Sequence, residues 1–310
     1  MCIIADSVND VSKTKIASFH VAYTMDGGKT IIPSQLVVYA ANVDSVANTN
    51  AFILPVYNPG NDQKKIIPLD FSKLADFFYE LANIYGRWFP EDTWRSANNS
   101  YNLEAQGKDF LPVYSVGDYK FSIMPSKIDF NRLDRLQLNI NSAAKAAINV
   151  HPNDYSFIVY QFYKKGKIEI TPFAYLCEPC REHAMIIPTI HGHPHADDPL
   201  GFSSHYFALN DFGSHKSEVE DKSDFDHEIY TLVLNPMAKN MDRKDLIEID
   251  KLLSKITTDY VNRKVRIRIP TSFVPNKFTI KGYKQNRNIL IKPDGFNFIN
   301  DLTIDTQRAR

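Results

Sequence analysis

Short apolar runs, each closed by turn-forming residues, constrain this chain's fold more than any other feature of its sequence. Ala51-Phe52-Ile53-Leu54-Pro55-Val56 is wholly apolar and runs into Asn58-Pro59-Gly60-Asn61. It reads as a buried strand whose end lies near a sheet edge, because Pro55 has no N–H to give a ladder. Lys15–Thr24 and Thr30–Ala40 flank Met25-Asp26-Gly27-Gly28, a turn rich in residues that accept positive φ. They read as one hairpin. Tyr155–Tyr163 and Lys167–Tyr175, joined by Lys164-Lys165-Gly166, read as a second and clearer one. Val113–Tyr114, Lys120–Met124, Ala184–Ile190, His227–Leu234 and Val265–Pro270 supply further strands.

Helical spacing is rarer. Phe71, Leu74, Phe77 or Phe78, Leu81 and Ile84 share one stripe, predicting a helix over Asp70–Tyr85. Asp70 or Ser72 would cap it and Gly86 would stop it. Residues 126–135 and 141–148 have shorter helical patterns. Asp242–Tyr260 is amphipathic, with Leu246, Ile249, Leu252, Leu253 and Ile256 on one side. Strand-rich segments broken by a few helices, without regular βαβ alternation, predict an α+β fold of mainly antiparallel sheet. We expect a β-rich main domain over residues 1–235, divisible near 150, and a helix plus basic strands over 236–310. No Gly-rich phosphate loop or dinucleotide fingerprint is present, which argues against a nucleotide enzyme.

With 310 residues and 44% hydrophobic content, the chain has ample material for a large core. No apolar run approaches the roughly 18 residues of a membrane span. Met1-Cys2-Ile3-Ile4-Ala5-Asp6 meets an acid at once and lacks the pattern of a signal peptide. An intracellular, cytoplasmic location without a membrane partner is the expectation. Three cysteines do not make a disulfide framework.

Chemistry concentrates between Cys177 and His227, where most of the nine histidines lie. In His191-Gly192-His193, residues two apart on a strand share a face and can reach one ion. Asp224-Phe225-Asp226-His227 adds carboxylates and an imidazole. Imidazole with carboxylate suits zinc or another transition metal, so His191, His193, His227 and Asp226 form the first candidate metal site. An open coordination position there would permit hydrolysis, with Asp226 as ligand or base. Cys177, Cys180 and His183 have the tight spacing of half a structural zinc site and form the second. Cys2 is a third candidate. Trimming of Met1 would place its thiol beside a free α-amine, the pairing used by N-terminal-nucleophile amidases.

Net charge is zero, with 36 basic and 36 acidic residues, yet Val261–Lys292 holds nine cations and no acid. They are Arg263, Lys264, Arg266, Arg268, Lys277, Lys281, Lys284, Arg287 and Lys292. Phe273, Phe278 and Tyr283 are interleaved among them. Such a segment suits an acidic protein partner or nucleic acid. In Val265–Pro270, alternation puts Lys264, Arg266 and Arg268 on one face while Val265, Ile267 and Ile269 pack inward.

Several stretches resemble a family of bacterial and large-DNA-virus hypothetical proteins. They are Met1-Cys2, Val11-Ser12-Lys13-Thr14-Lys15-Ile16-Ala17, Leu36-Val37-Val38-Tyr39 and Ala51-Phe52-Ile53-Leu54-Pro55-Val56. Pro188-Thr189-Ile190-His191-Gly192-His193 and Phe225-Asp226-His227-Glu228-Ile229-Tyr230 continue the likeness. It spans about residues 1–234. The family's pattern places an acid and glycine after its second histidine, where this chain has Pro194-His195. The resemblance implies no activity, and admits a virion location. Three functional expectations follow: a metal-binding protein or metal-dependent hydrolase, a non-enzymatic interaction or assembly protein such as a virus-particle component, and an amidase using Cys2.

Overall fold

The computed structural model describes residues 3–25, 30–88, 111, 113–116, 119–133, 138–179, 185–187, 226–234, 243–256, 266–268, 273–281, 288–292 and 295–299. Strands β1 (Ile3–Ile4), β2 (Val8–Met25), β3 (Thr30–Ser45), β4 (Asn50–Tyr57) and β5 (Ile67–Leu69) lead into helix α1 (Phe77–Trp88). Next come β6 (Tyr114–Val116), β7 (Tyr119–Met124), α2 (Ser142–Asn149), β8 (Tyr155–Phe162), β9 (Gly166–Glu169), β10 (Phe173–Cys177) and β11 (Met185–Ile187). The remaining elements are β12 (Asp226–Leu234), α3 (Arg243–Ser254), β13 (Arg266–Arg268), β14 (Phe273–Lys281), β15 (Asn288–Lys292) and β16 (Gly295–Ile299).

These strands form three sheets. The largest runs β14-β12-β2-β3-β10-β5, with β13 added to β2 and β9 to β3; a second runs β1-β4-β8-β7-β6; a third is β11-β15-β16. Pairing is antiparallel except between β12 and β2. The chain is therefore α+β and dominated by antiparallel sheet. Strands from the last quarter enter the same sheets: β14 lies on β12, β13 on β2 and β15 on β11.

The strand period of two sorts the core into layers. Ala17, Phe19, Val21 and Tyr23 of β2 face α1 and α3, burying Leu81, Ile249, Leu252 and Leu253. On the other side of the large sheet, Val37, Tyr39 and Val43 of β3 meet Phe52, Leu54, Ile158 and Tyr160 of the five-stranded sheet. That sheet's far face carries Ile53, Phe157 and Val159, covered by Ala144, Ala147 and Ile148 of α2. The order across the fold is helices, large sheet, smaller sheet, helix. Tyr160 shows how the central seam is held. Its ring lies 4.5 Å from Phe173 between centroids, and its hydroxyl donates to the Ala174 carbonyl at 2.7 Å.

Local expectations fared unevenly. The β2–β3 hairpin forms with Met25 opposite Thr30, and β4 is buried throughout. Pro55 sits where β4 has β8 on one flank, since β1 reaches only Phe52 and Ile53. Three expectations need correction. Tyr155–Tyr163 and Lys167–Tyr175 do not pair with each other. β8 is claimed on both flanks by β4 and β7, whereas β9 and β10 pair with β3 in the other sheet. Gly166, at φ +85°, starts β9 on its way across. All eight residues of β8 are buried, as a strand central to one sheet and packed on both faces must be.

The helix expected over Asp70–Tyr85 begins only at Phe77 and runs through Gly86 to Trp88. Asp70 Oδ1 accepts from the Ser72 N–H at 2.9 Å, and successive turns then carry Leu74 and Phe77 inward. The stripe of apolar residues is real, but its first turn is not helical. Residues 127–132 form a 3₁₀ segment rather than an α-helix, closed by Ser126 and Asp129. Lys13, at φ +49°, lies in the irregularity between Ser12 and Lys15 where β2 shifts register against β3.

Candidate functional site

Gln35, a polar residue among apolar neighbours on β3, organises the attachment of the three-stranded sheet. Its Nε2 donates to Ser18 Oγ at 2.8 Å and to the Ile186 carbonyl at 2.7 Å. Ser18 donates in turn to Met185 Sδ at 3.5 Å. All are buried, so β11 is fastened to the face of β2 that carries Ser18.

β12 runs parallel to β2, with Thr231 opposite Ser18 and Glu228 opposite Lys15. Alternation then divides its first residues. Positions 227, 229 and 231 share the face of Ser18, towards β11. Positions 226 and 228 share the face of Tyr230, which is buried against Phe78 and Tyr85 of α1. Asp226 and His227 are consecutive in one strand and belong to opposite faces of the sheet.

His191 and His193 lie outside the described residues, as do Cys2, Cys180 and His183. Among the described residues no three His, Cys, Asp or Glu side chains come together as a metal group. Cys177 ends β10 inside the seam between the two large sheets. It is 6% exposed, and its thiol donates to the Gln35 carbonyl at 3.8 Å. Ile3, the neighbour of Cys2, is fully buried and pairs with Ile53.

In the basic segment, β13 pairs antiparallel with β2, placing Ile267 opposite Tyr23. Ile267 is half-buried against the core beneath α1 and α3. Positions 266 and 268 belong to the other face of that strand. β14, which contributes Lys277 and Lys281, is the outer strand of the described large sheet beside β12.

Two residues that sequence reasoning passed over stand out. His151, just beyond α2, is fully buried with Nδ1 donating to the Ala147 carbonyl at 2.9 Å. Its Nε2 has no partner, and burial, opposed by the backbone hydrogen bonds and aided by Lys127, lowers its pKa to about 4. Pro152 next to it breaks a helix, but nothing local signals that the preceding histidine is buried. Lys120 of β7 is the other, a lysine only 9% exposed. Burial raises the phenols of Tyr85, Tyr160 and Tyr175 well above their ordinary range, which makes them core groups rather than acids or bases.

Fold and site together define an α+β protein of stacked antiparallel sheets, with its histidine-rich segment inserted between two strands that both lie on β2. No family model matches the chain. Among solved structures, the crystal structure of baculovirus P35 is similar with a TM-score of 0.37 and 10% identity, over 96% of this chain and 95% of that one. A likeness at that level assigns neither family nor activity. No helix among the described residues is long and apolar enough to cross a membrane.

Proposed function

We propose that the protein binds a transition metal such as zinc through His191, His193 and His227. One observation carries this reading: β11, which precedes the histidine-rich segment, is fastened to the Ser18 face of β2, and β12, which follows it, pairs beside β2 with positions 227, 229 and 231 on that same face. His227 is four residues from Thr231, about 13 Å along β12. The four residues from Ile187 to His191 span up to about 14 Å when extended. Chain length therefore permits the three imidazoles to meet. Asp226 belongs to the opposite face and is left out of this ligand set.

Purified protein should then hold close to one equivalent of metal by elemental analysis. His193→Ala should lose most of it, because removing one of three protein ligands breaks the coordination shell. Protein that stays metal-free after incubation with zinc, or an H193A variant that retains its metal, would overturn the reading.

A second reading, an interaction protein with an acidic or nucleic-acid partner, is favoured by the docking of β13. Ile267 packs against the core, and positions 266 and 268 alternate with it along the strand. If nucleic acid is the partner, reversing Arg266 and Arg268 to Glu should abolish a gel shift that weakens steeply with salt. Absence of any shift at low salt removes nucleic acid. Loss of stability in the double variant would instead mean that the cations serve the fold.

A further inference from the structure

The outer face of the five-stranded sheet changes character along two neighbouring strands. Met124 and Phe157 are register partners, both fully buried in the layer beneath α2. One pair further on that face Ser122 stands opposite Val159, and beyond it Lys120 stands opposite Gln161. An apolar floor thus gives way to polar groups within two residues. At that transition a cleft of about 30 Å³ opens, with Leu111, Leu133, Leu138 and Val159 as apolar walls and Lys120 at its polar end. Its room is that of a few heavy atoms.

Lys120 is unusual for a lysine so placed. It is 9% exposed, and its ammonium lies 5.5 Å from the centroid of the Tyr163 ring. No carboxylate among the described residues pairs with it. Tyr163 is itself fixed, its hydroxyl donating to Gln161 Oε1 at 2.8 Å. The Lys120 stem is buried, but its ammonium is not among the buried polar atoms that lack a partner, so the charge reaches solvent at the rim while the stem lines the apolar wall. An accessible cation thus stands at the mouth of an apolar cleft, the pairing of features that an amphipathic anion fits.

We propose that this cleft binds a short aliphatic carboxylate. The carboxylate would sit on the Lys120 ammonium, opposite the Tyr163 ring, with a stem of two or three carbons against Leu133, Leu138 and Val159. The same chemistry is offered by a free short-chain acid and by a glutamyl side chain of a polypeptide.

Butyrate and its neutral isostere butyramide test the idea on the full chain by amide chemical-shift titration. Butyrate should shift the amides of Lys120, Ser122, Leu133 and Val159, and bind about tenfold more tightly than butyramide, as expected for a charge-assisted contact. Lys120→Met, which keeps the stem and loses the charge, should abolish that preference. N-acetylglutamate N-methylamide distinguishes the sources. Tighter binding than butyrate at the same amides points to a polypeptide ligand, and weaker binding to a free acid. Equal binding of butyrate and butyramide to the native chain, shifts confined to residues outside the cleft, or no shifts at all would overturn the proposal without reliance on the variant.

Discussion

Replacing Phe173 by alanine is expected to remove about 3–5 kcal/mol of folding stability, the largest effect of any single change considered for this chain. Phe173 begins β10 and is 2% exposed in the seam between the two larger sheets. Its ring centroid lies 5.3 Å from that of Tyr39, 5.2 Å from Phe52, 5.4 Å from Tyr119 and 4.5 Å from Tyr160. Tyr39 belongs to the large sheet, while Phe52, Tyr119 and Tyr160 belong to the smaller one. The substitution therefore opens a hole where rings from both sheets converge. Those rings cannot close it without moving strands held by ladder hydrogen bonds. Urea unfolding followed by circular dichroism measures the loss. A change below about 1 kcal/mol would mean that the sheets are not joined through this cluster.

Acid should weaken the protein through His151, and the sign follows from its burial. Its pKa is about 4 in the folded chain against an ordinary value of 6.5. The neutral form is favoured by folding, so its contribution is fully present above pH 6.5 and is lost as pH falls towards 4. The difference corresponds to about 3 kcal/mol once both states are protonated. The structure supplies the reason. Nδ1 already gives its proton to the Ala147 carbonyl, so a second proton must go to Nε2, which is buried without an acceptor. Lys127, which donates to the His151 carbonyl at 2.8 Å, adds like charge nearby. Tyr155 and Phe157 enclose the ring at 5.1 Å and 5.7 Å between centroids.

Carboxylates titrate in part of the same range, so the comparison is between the native chain and His151→Met. Stability measured at pH 7.5 and pH 4.5 should fall further in the native chain than in the variant. Parallel losses in the two proteins would assign the acid sensitivity to other groups.

Much of the secondary structure was legible because it depends on nearest neighbours. The run Ala51–Val56 announces a buried strand, and the helical pattern over 141–148 announces α2. The apolar positions Ile249, Leu252, Leu253 and Ile256 are the buried ones of the α3 region. Each of these features is set by periodicity or by a hydrogen bond within a few residues. The candidate site was legible only as composition. His-x-His and Asp-His are patterns of residue types, and which side of the sheet position 227 takes depends on how β12 lies against β2.

The amino-acid sequence by itself determined the class of fold, the alternating strands and the helices, since these follow from the 2.0 and 3.6 periods of side chains along the backbone. Tertiary structure decided the partners. β8 and β9 are joined by a turn fit for a hairpin, yet they separate into different sheets, because burying all of β8 requires a neighbour on each flank and a packed layer on each face. The same global packing decided which face of the sheet position 227 takes, buried the ring of His151 beyond the end of α2, and left Lys120 at the edge of an apolar cleft. Burial and pairing are sums over distant residues, and no local pattern contains them.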